Sequence, residues 1–126
     1  MSIGLILFAH GARDPRWAAP FEAVAEHVRA QRPGVPVRLA FLELMSPGLA
    51  EAGAQLVAAG CTHITVLPLF LGAGGHVRKD LPLLVDQLRG AHPGTVFVLQ
   101  APIGEDPRII GAIADAAAAS LTDAAA

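Results

Sequence analysis

Short apolar runs recur along the chain near residues 3–9, 35–42, 62–68 and 95–99, and each is followed by a stretch whose apolar residues return at helical spacing. Strand-like runs alternating with helical segments predict an α/β fold with a parallel sheet covered on both faces. The runs at 3–9 and 62–68 are apolar almost throughout, whereas 35–42 sets Val37, Leu39 and Phe41 against Arg38. A polar position inside a strand fits an edge better than the middle of a covered sheet. The second strand is therefore expected at an edge and the first and third in the centre, giving the order 2-1-3-4.

The helices announce themselves by their first residues. Asp14-Pro15 pairs a capping side chain with proline at the first helical position, and Trp17, Phe21, Val24 and Val28 follow, up to Arg32-Pro33-Gly34. Ser46-Pro47 repeats the device ahead of Leu49, Ala52, Leu56 and Val57, with a stop at Gly60. Asp80 can cap a third helix at Leu81-Pro82 that presents Leu84, Val85 and Leu88, although a turn can already start at His76. Asp106-Pro107 opens a fourth, running through Ile109, Ile110 and Ile113 to near Leu121, and Ala124 to Ala126 read as a frayed tail.

With right-handed crossovers, the order 2-1-3-4 puts a topological switch between strands one and three, and ligands of open α/β sheets bind at the carboxyl ends of strands beside such a switch. Two histidines stand there. His10 follows the first strand in Ala9-His10-Gly11, and His76 follows the third in Gly72-Ala73-Gly74-Gly75-His76. Glu43 lies past the end of the second strand at the same edge. Two imidazoles and a carboxylate suit Fe, Co, Ni or Zn with coordination positions left open. A lone strand-end histidine is more often a structural hydrogen-bonding group, and Glu43 can equally be a solvated acid; it is the grouping that points to chemistry. Gly72, Gly74 and Gly75 would let a flat ligand approach the main chain. Arg13, Arg16, Arg78 and Lys79 gather near the same rim, where helix starts ordinarily favour acids, and could hold substrate carboxylates. His27, His63 and His92 fall elsewhere and read as surface or structural groups.

Composition narrows the field further. The 126 residues, 53% hydrophobic and 16% charged, are enough for a single domain over 1–126 with one core. A net charge of -2 provides no basic field, which argues against nucleic acid as a partner. No apolar run approaches the roughly 20 residues that span a bilayer, so no membrane partner is expected. The lone Cys61 and a start without a basic signal-peptide region fit a cytoplasmic setting. Familiar nucleotide signatures are missing: the glycine loop lacks the Gly-Lys-Ser/Thr of a P-loop, and the first turn lacks the dinucleotide fingerprint. Ala9 stands where a histidine phosphatase would usually have arginine, and Pro68-Leu69-Phe70 where a receiver domain would have aspartate.

At these residues the chain resembles the class II tetrapyrrole chelatases, in particular the short sirohydrochlorin chelatases that include anaerobic cobaltochelatases and sirohaem ferrochelatases. The resemblance is carried by Leu7-Phe8-Ala9-His10-Gly11-Ala12-Arg13-Asp14-Pro15, by Phe41-Leu42-Glu43, and by the stretch from Pro68 through His76-Val77-Arg78-Lys79-Asp80-Leu81-Pro82. It implies a flavodoxin-like three-layer sandwich, one chelatase-like half domain. It also implies His10 and His76 as metal-binding histidines and Glu43 as the acid of the active site. The reaction would insert a divalent metal (Co2+, Fe2+ or Ni2+) into a sirohydrochlorin-like tetrapyrrole, in cobalamin or sirohaem biosynthesis, with no organic cofactor. Longer relatives carry two such domains in tandem, so a homodimer is expected of a single one. A metal or tetrapyrrole carrier without catalysis is the alternative, and a phosphohydrolase using His10 and Arg13 a more distant one.

Overall fold

Strand β1 (Ile3–Ala9) lies at the heart of the sheet because it offers apolar side chains to both faces, Ile6 and Phe8 to one and Leu7 to the other, all buried. The molecule is a computed structural model that describes residues 2–121; the expected frayed tail at Ala124 to Ala126 lies outside the described residues. Strand β2 (Val37–Phe41) pairs with β1 in parallel, β3 (His63–Pro68) with its other side, and β4 (Val96–Leu99) with β3. The order is β2-β1-β3-β4, as the apolar pattern requires, with the switch between β1 and β3.

Helix α1 (Ala19–Gln31) covers one face, and α2 (Leu49–Ala58) and α3 (Gly75–Ala91) cover the other. The larger core joins Ile6, Phe8, Ala40, Ile64, Val66 and Phe97 of the sheet to Leu49, Ala52, Leu56, Leu81, Val85 and Leu88 of α2 and α3. On the α1 face, Leu7 and Val37 pack against Ala25. Helix α4 (Pro107–Ala119) buries none of its residues, and Ile110, Ile113, Val96 and Val98 are exposed. Strand β3 is accordingly buried at Ile64, Val66 and Pro68 but only half-buried at Thr65 and Leu67, where the α1 layer ends. Among the described residues no helix is long and apolar enough to cross a membrane.

Three details depart from the sequence pattern. Pro15–Ala18 forms a 3-10 turn before α1, and its three residues per turn shift the helical phase, so Ala25 is buried while Val24 faces out. Ser46 does not cap α2: the Phe41 N–H donates to the Pro47 carbonyl at 2.9 Å, holding the chain alongside β2 until Gly48, the true N-cap. The Ser46-Pro47 peptide is cis. Asp80 does not open α3 either. That helix starts at Gly75 after an N-cap at Gly74, and Pro82 lies inside it.

Candidate functional site at the carboxyl edge of the sheet

Past the end of β1 the strand ladder continues into the loops. The Leu42 N–H donates to the Ala9 carbonyl at 2.9 Å, and the Glu43 N–H to the His10 carbonyl at 3.1 Å. Gly11 makes this approach feasible: its φ is +96°, and a Cβ there would lie 1.9 Å from the Glu43 carbonyl oxygen. With the backbones so close, His10 Nε2 and Glu43 Oε1 stand 3.1 Å apart, each side chain about half exposed (50% and 55%). The loop then folds over itself, the Met45 N–H donating to the Glu43 carbonyl at 2.8 Å, which puts Leu44 at φ +66° with its side chain exposed. A leucine in the left-handed region is strained, and such strain collects where a loop is held for a purpose.

Beneath the pair, the Phe70 ring meets the His10 ring edge-on at 6.2 Å and the Phe8 ring at 6.0 Å, so the imidazole rests on the core. Phe70 also heads the loop that leads to His76, which is exposed in the first turn of α3. The structure thus brings His10 and Glu43 into contact and places His76 at the start of α3, past the neighbouring loop of the same edge. Among the described residues, no three His, Cys, Asp or Glu side chains are gathered closely enough to hold a metal ion together.

The cations divide into two kinds. Arg16 folds back on Asp14, with Nη2 2.8 Å from Oδ2, and this contact holds the Asp14 carboxyl below the usual aspartate range and raises Arg16. Arg78 donates through Nε to the Ala73 carbonyl at 3.0 Å and faces Glu105 at 3.5 Å. Arg13 and Lys79 form no ion pair among the described residues. A Cβ on Gly72, Gly74 or Gly75 would meet nothing within 4 Å, so the glycine loop opens onto space a ligand can enter. His63 contacts the Thr62 hydroxyl at the start of β3, His92 ends α3, and His27 is exposed on α1. None of the three is near the carboxyl edge.

The model of the CbiX family matches residues 4–120, which span both histidine loops and Glu43. The chain belongs to the CbiX family. Among its relatives, the sirohydrochlorin cobaltochelatase of Sulfolobus acidocaldarius is 32% identical over 120 residues, which are 95% of this chain and 94% of that protein. The crystal structure of a CbiX protein from Marinobacter aquaeolei superposes with a TM-score of 0.81 at 37% identity, over 93% of this chain and 95% of that one. The sirohydrochlorin chelatase SirB of Bacillus subtilis subspecies spizizenii, in complex with cobalt, has a TM-score of 0.82 at 25% identity; the match covers 95% of this chain and 51% of SirB. This CbiX-family chain therefore spans about half of that relative.

Volume and chemistry separate in this CbiX domain. A cleft of about 610 Å³ runs along the β2 edge between Arg29, Arg38, Glu51 and Gln55, away from either site histidine. A smaller one of about 340 Å³ adjoins the His10 loop, lined by Arg13, Glu22, Phe41, Leu44 and Met45. The candidate site is the pair of His10 and Glu43 with its adjoining loops, apart from the larger hollow. Gly11, Leu44 and Phe70 belong to it without having been singled out in the sequence. Gly11 alone carried a visible signal, a glycine directly after the histidine.

Proposed function

We propose that the chain is a sirohydrochlorin chelatase that inserts Co2+ or Fe2+ into the macrocycle, a reaction in which one divalent cation enters and two pyrrole N–H protons leave. The observation that carries this reading is the 3.1 Å contact of His10 with Glu43 at the switch point of a CbiX-family sheet. An imidazole that donates Nε2–H to a carboxylate keeps the lone pair of Nδ1 for a metal. His10 then takes the incoming cation, His76 supplies a second nitrogen from the first turn of α3, and the other oxygen of Glu43 accepts the two pyrrole protons in turn, its half-exposed carboxylate passing each to solvent. Ligation needs neutral imidazole, so metal capture weakens in acid. The sparse ligand set suits the task, because a closed cage would retain a metal that has to be passed on.

Peripheral carboxylates of the ring fall to Arg13 and Lys79, since Arg16 and Arg78 would first have to leave Asp14 and Glu105. The open loop at Gly72, Gly74 and Gly75 admits the ring edge, and the metal is a substrate, so no organic cofactor takes part. A second copy of the chain closes the cleft. Its support is the apolar surface left by Val96, Val98, Ile110 and Ile113, together with a cobalt-binding relative about twice as long. The buried free Cys61 fits a reducing cytoplasm.

The test is a steady-state assay with sirohydrochlorin and Co2+, Fe2+ or Ni2+, read from the change in the macrocycle's absorption. Many metallated rings per active site are expected with Co2+ or Fe2+. Binding that stops at one ring per site would mark a carrier, and a rate no faster than spontaneous insertion would refute the proposal.

A further inference from the structure

Contacts from the turn after β4 fasten the loop that leads to His76. The Gly104 N–H donates to the Phe70 carbonyl at 2.9 Å, and a Cβ on Gly104 would lie 1.9 Å from the Leu71 carbonyl oxygen, so the two backbones are pressed together. One residue on, Glu105 Oε2 stands 3.5 Å from Arg78 Nη2. The same guanidinium donates its Nε–H to the Ala73 carbonyl at 3.0 Å. Arg78 is thus tied at once to the loop before α3 and to the turn after β4. His76 lies on the short stretch of chain between Ala73 and Arg78 that their contact closes.

The helix start needs such support. α3 begins Gly74-Gly75, has no side-chain cap and carries no acid in its first turn. Glycine loses more conformational freedom in a helix than any other residue, and uncapped first turns leave their N–H groups without partners. Left to itself this turn would fray, and His76 with it. The 3-10 turn that leads into α1 and the start of α4, in contrast, are held by Asp14 and Asp106.

We propose that Glu105, acting through Arg78, is a positioning residue for His76, holding the first turn of α3 so that the imidazole meets the metal. This rests on the reading of His76 as a metal ligand. It also gives Arg78 a different part from the substrate grip expected of it: its Nε and Nη2 are engaged by Ala73 and Glu105, and the ring carboxylates are left to Arg13 and Lys79. Both partners are partly exposed, so the pair adds little to global stability and acts on local order.

The experiment compares Glu105→Gln, Arg78→Lys and the double variant in the full chain, with KM for Co2+ and KM for sirohydrochlorin measured separately. Glu105→Gln should raise the KM for Co2+ about two- to fivefold, in proportion to an exposed pair, with the KM for sirohydrochlorin and the Tm unchanged. Adding Arg78→Lys should bring no further rise from the lost pair, since both changes break one latch. An unchanged KM for Co2+ in Glu105→Gln, or a lowered KM for sirohydrochlorin as a liberated Arg78 turned to the ring, would overturn the latch. His76→Ala is run in parallel. If it abolishes metal use while Glu105→Gln is silent, only the latch falls; if it leaves metal use intact, the role of His76 falls and the latch with it.

Discussion

A methyl group at position 11 would sit 1.9 Å from the Glu43 carbonyl oxygen, at a φ of +96° that L side chains rarely adopt, so the meeting of His10 with Glu43 depends on a side chain that is absent. Gly11→Ala should cost about 1–3 kcal/mol in urea denaturation and lower chelatase activity by more than that loss of folded protein explains. A full-activity Gly11→Ala enzyme would show that the contact is dispensable. At this scale the sequence was partly legible. His10, Glu43 and His76 could be found because each follows a strand at one edge of the sheet. Leu44 and Glu105 could not. The strain at Leu44 comes from a turn that forms only when the loop is pinned to Gly11, and Glu105 meets Arg78 from 27 residues away, beyond any local pattern.

Two element starts share one device. Asp14-Pro15-Arg16 and Asp106-Pro107-Arg108 each place an aspartate that accepts the N–H of the following arginine at 2.9 Å, while that arginine's side chain folds back on the same carboxylate. The arginine hydrogen bonds hold both carboxyls below the ordinary aspartate value of about 3.9. A lowered folded pKa contributes stability that is fully present above the unfolded value and is lost as pH falls through the folded one. NMR titration of Asp14 and Asp106 should therefore give midpoints below about 3.9, rising toward it in Arg16→Ala and Arg108→Ala respectively. Midpoints unmoved by these changes would contradict the assignment. The letters Asp-Pro announced the α4 start as it stands and, at Asp14-Pro15, a 3-10 turn four residues ahead of α1, whereas Ser46-Pro47 used a similar signature without capping a helix, because β2 claims the Pro47 carbonyl first. The α3 start was obscured by Pro82, which reads as a helix opening but stands inside one.

The sheet order was legible at the scale of the whole molecule, since the apolar runs distinguish central strands from the β2 edge and the handedness rule does the rest. The position of α4 was not. Its Ile-rich start looks like any helix that packs on a sheet, yet it buries none of its residues in the single chain. If α4 forms the proposed interface, Ile110→Asp with Ile113→Asp should shift the chain to monomers in sedimentation experiments and lower activity. A wild-type chain that sediments as a fully active monomer would remove the second copy from the account.

The central claim is that His10 and His76 handle the metal at the switch point of this sheet. It is tested most directly by the initial rate of Co2+ insertion into sirohydrochlorin by wild type, His10→Ala and His76→Ala, each shown to be folded by its thermal unfolding transition. Both variants should lose most of the rate, on the order of 100-fold or more, while unfolding like the wild type. Wild-type rates in both folded variants would contradict it.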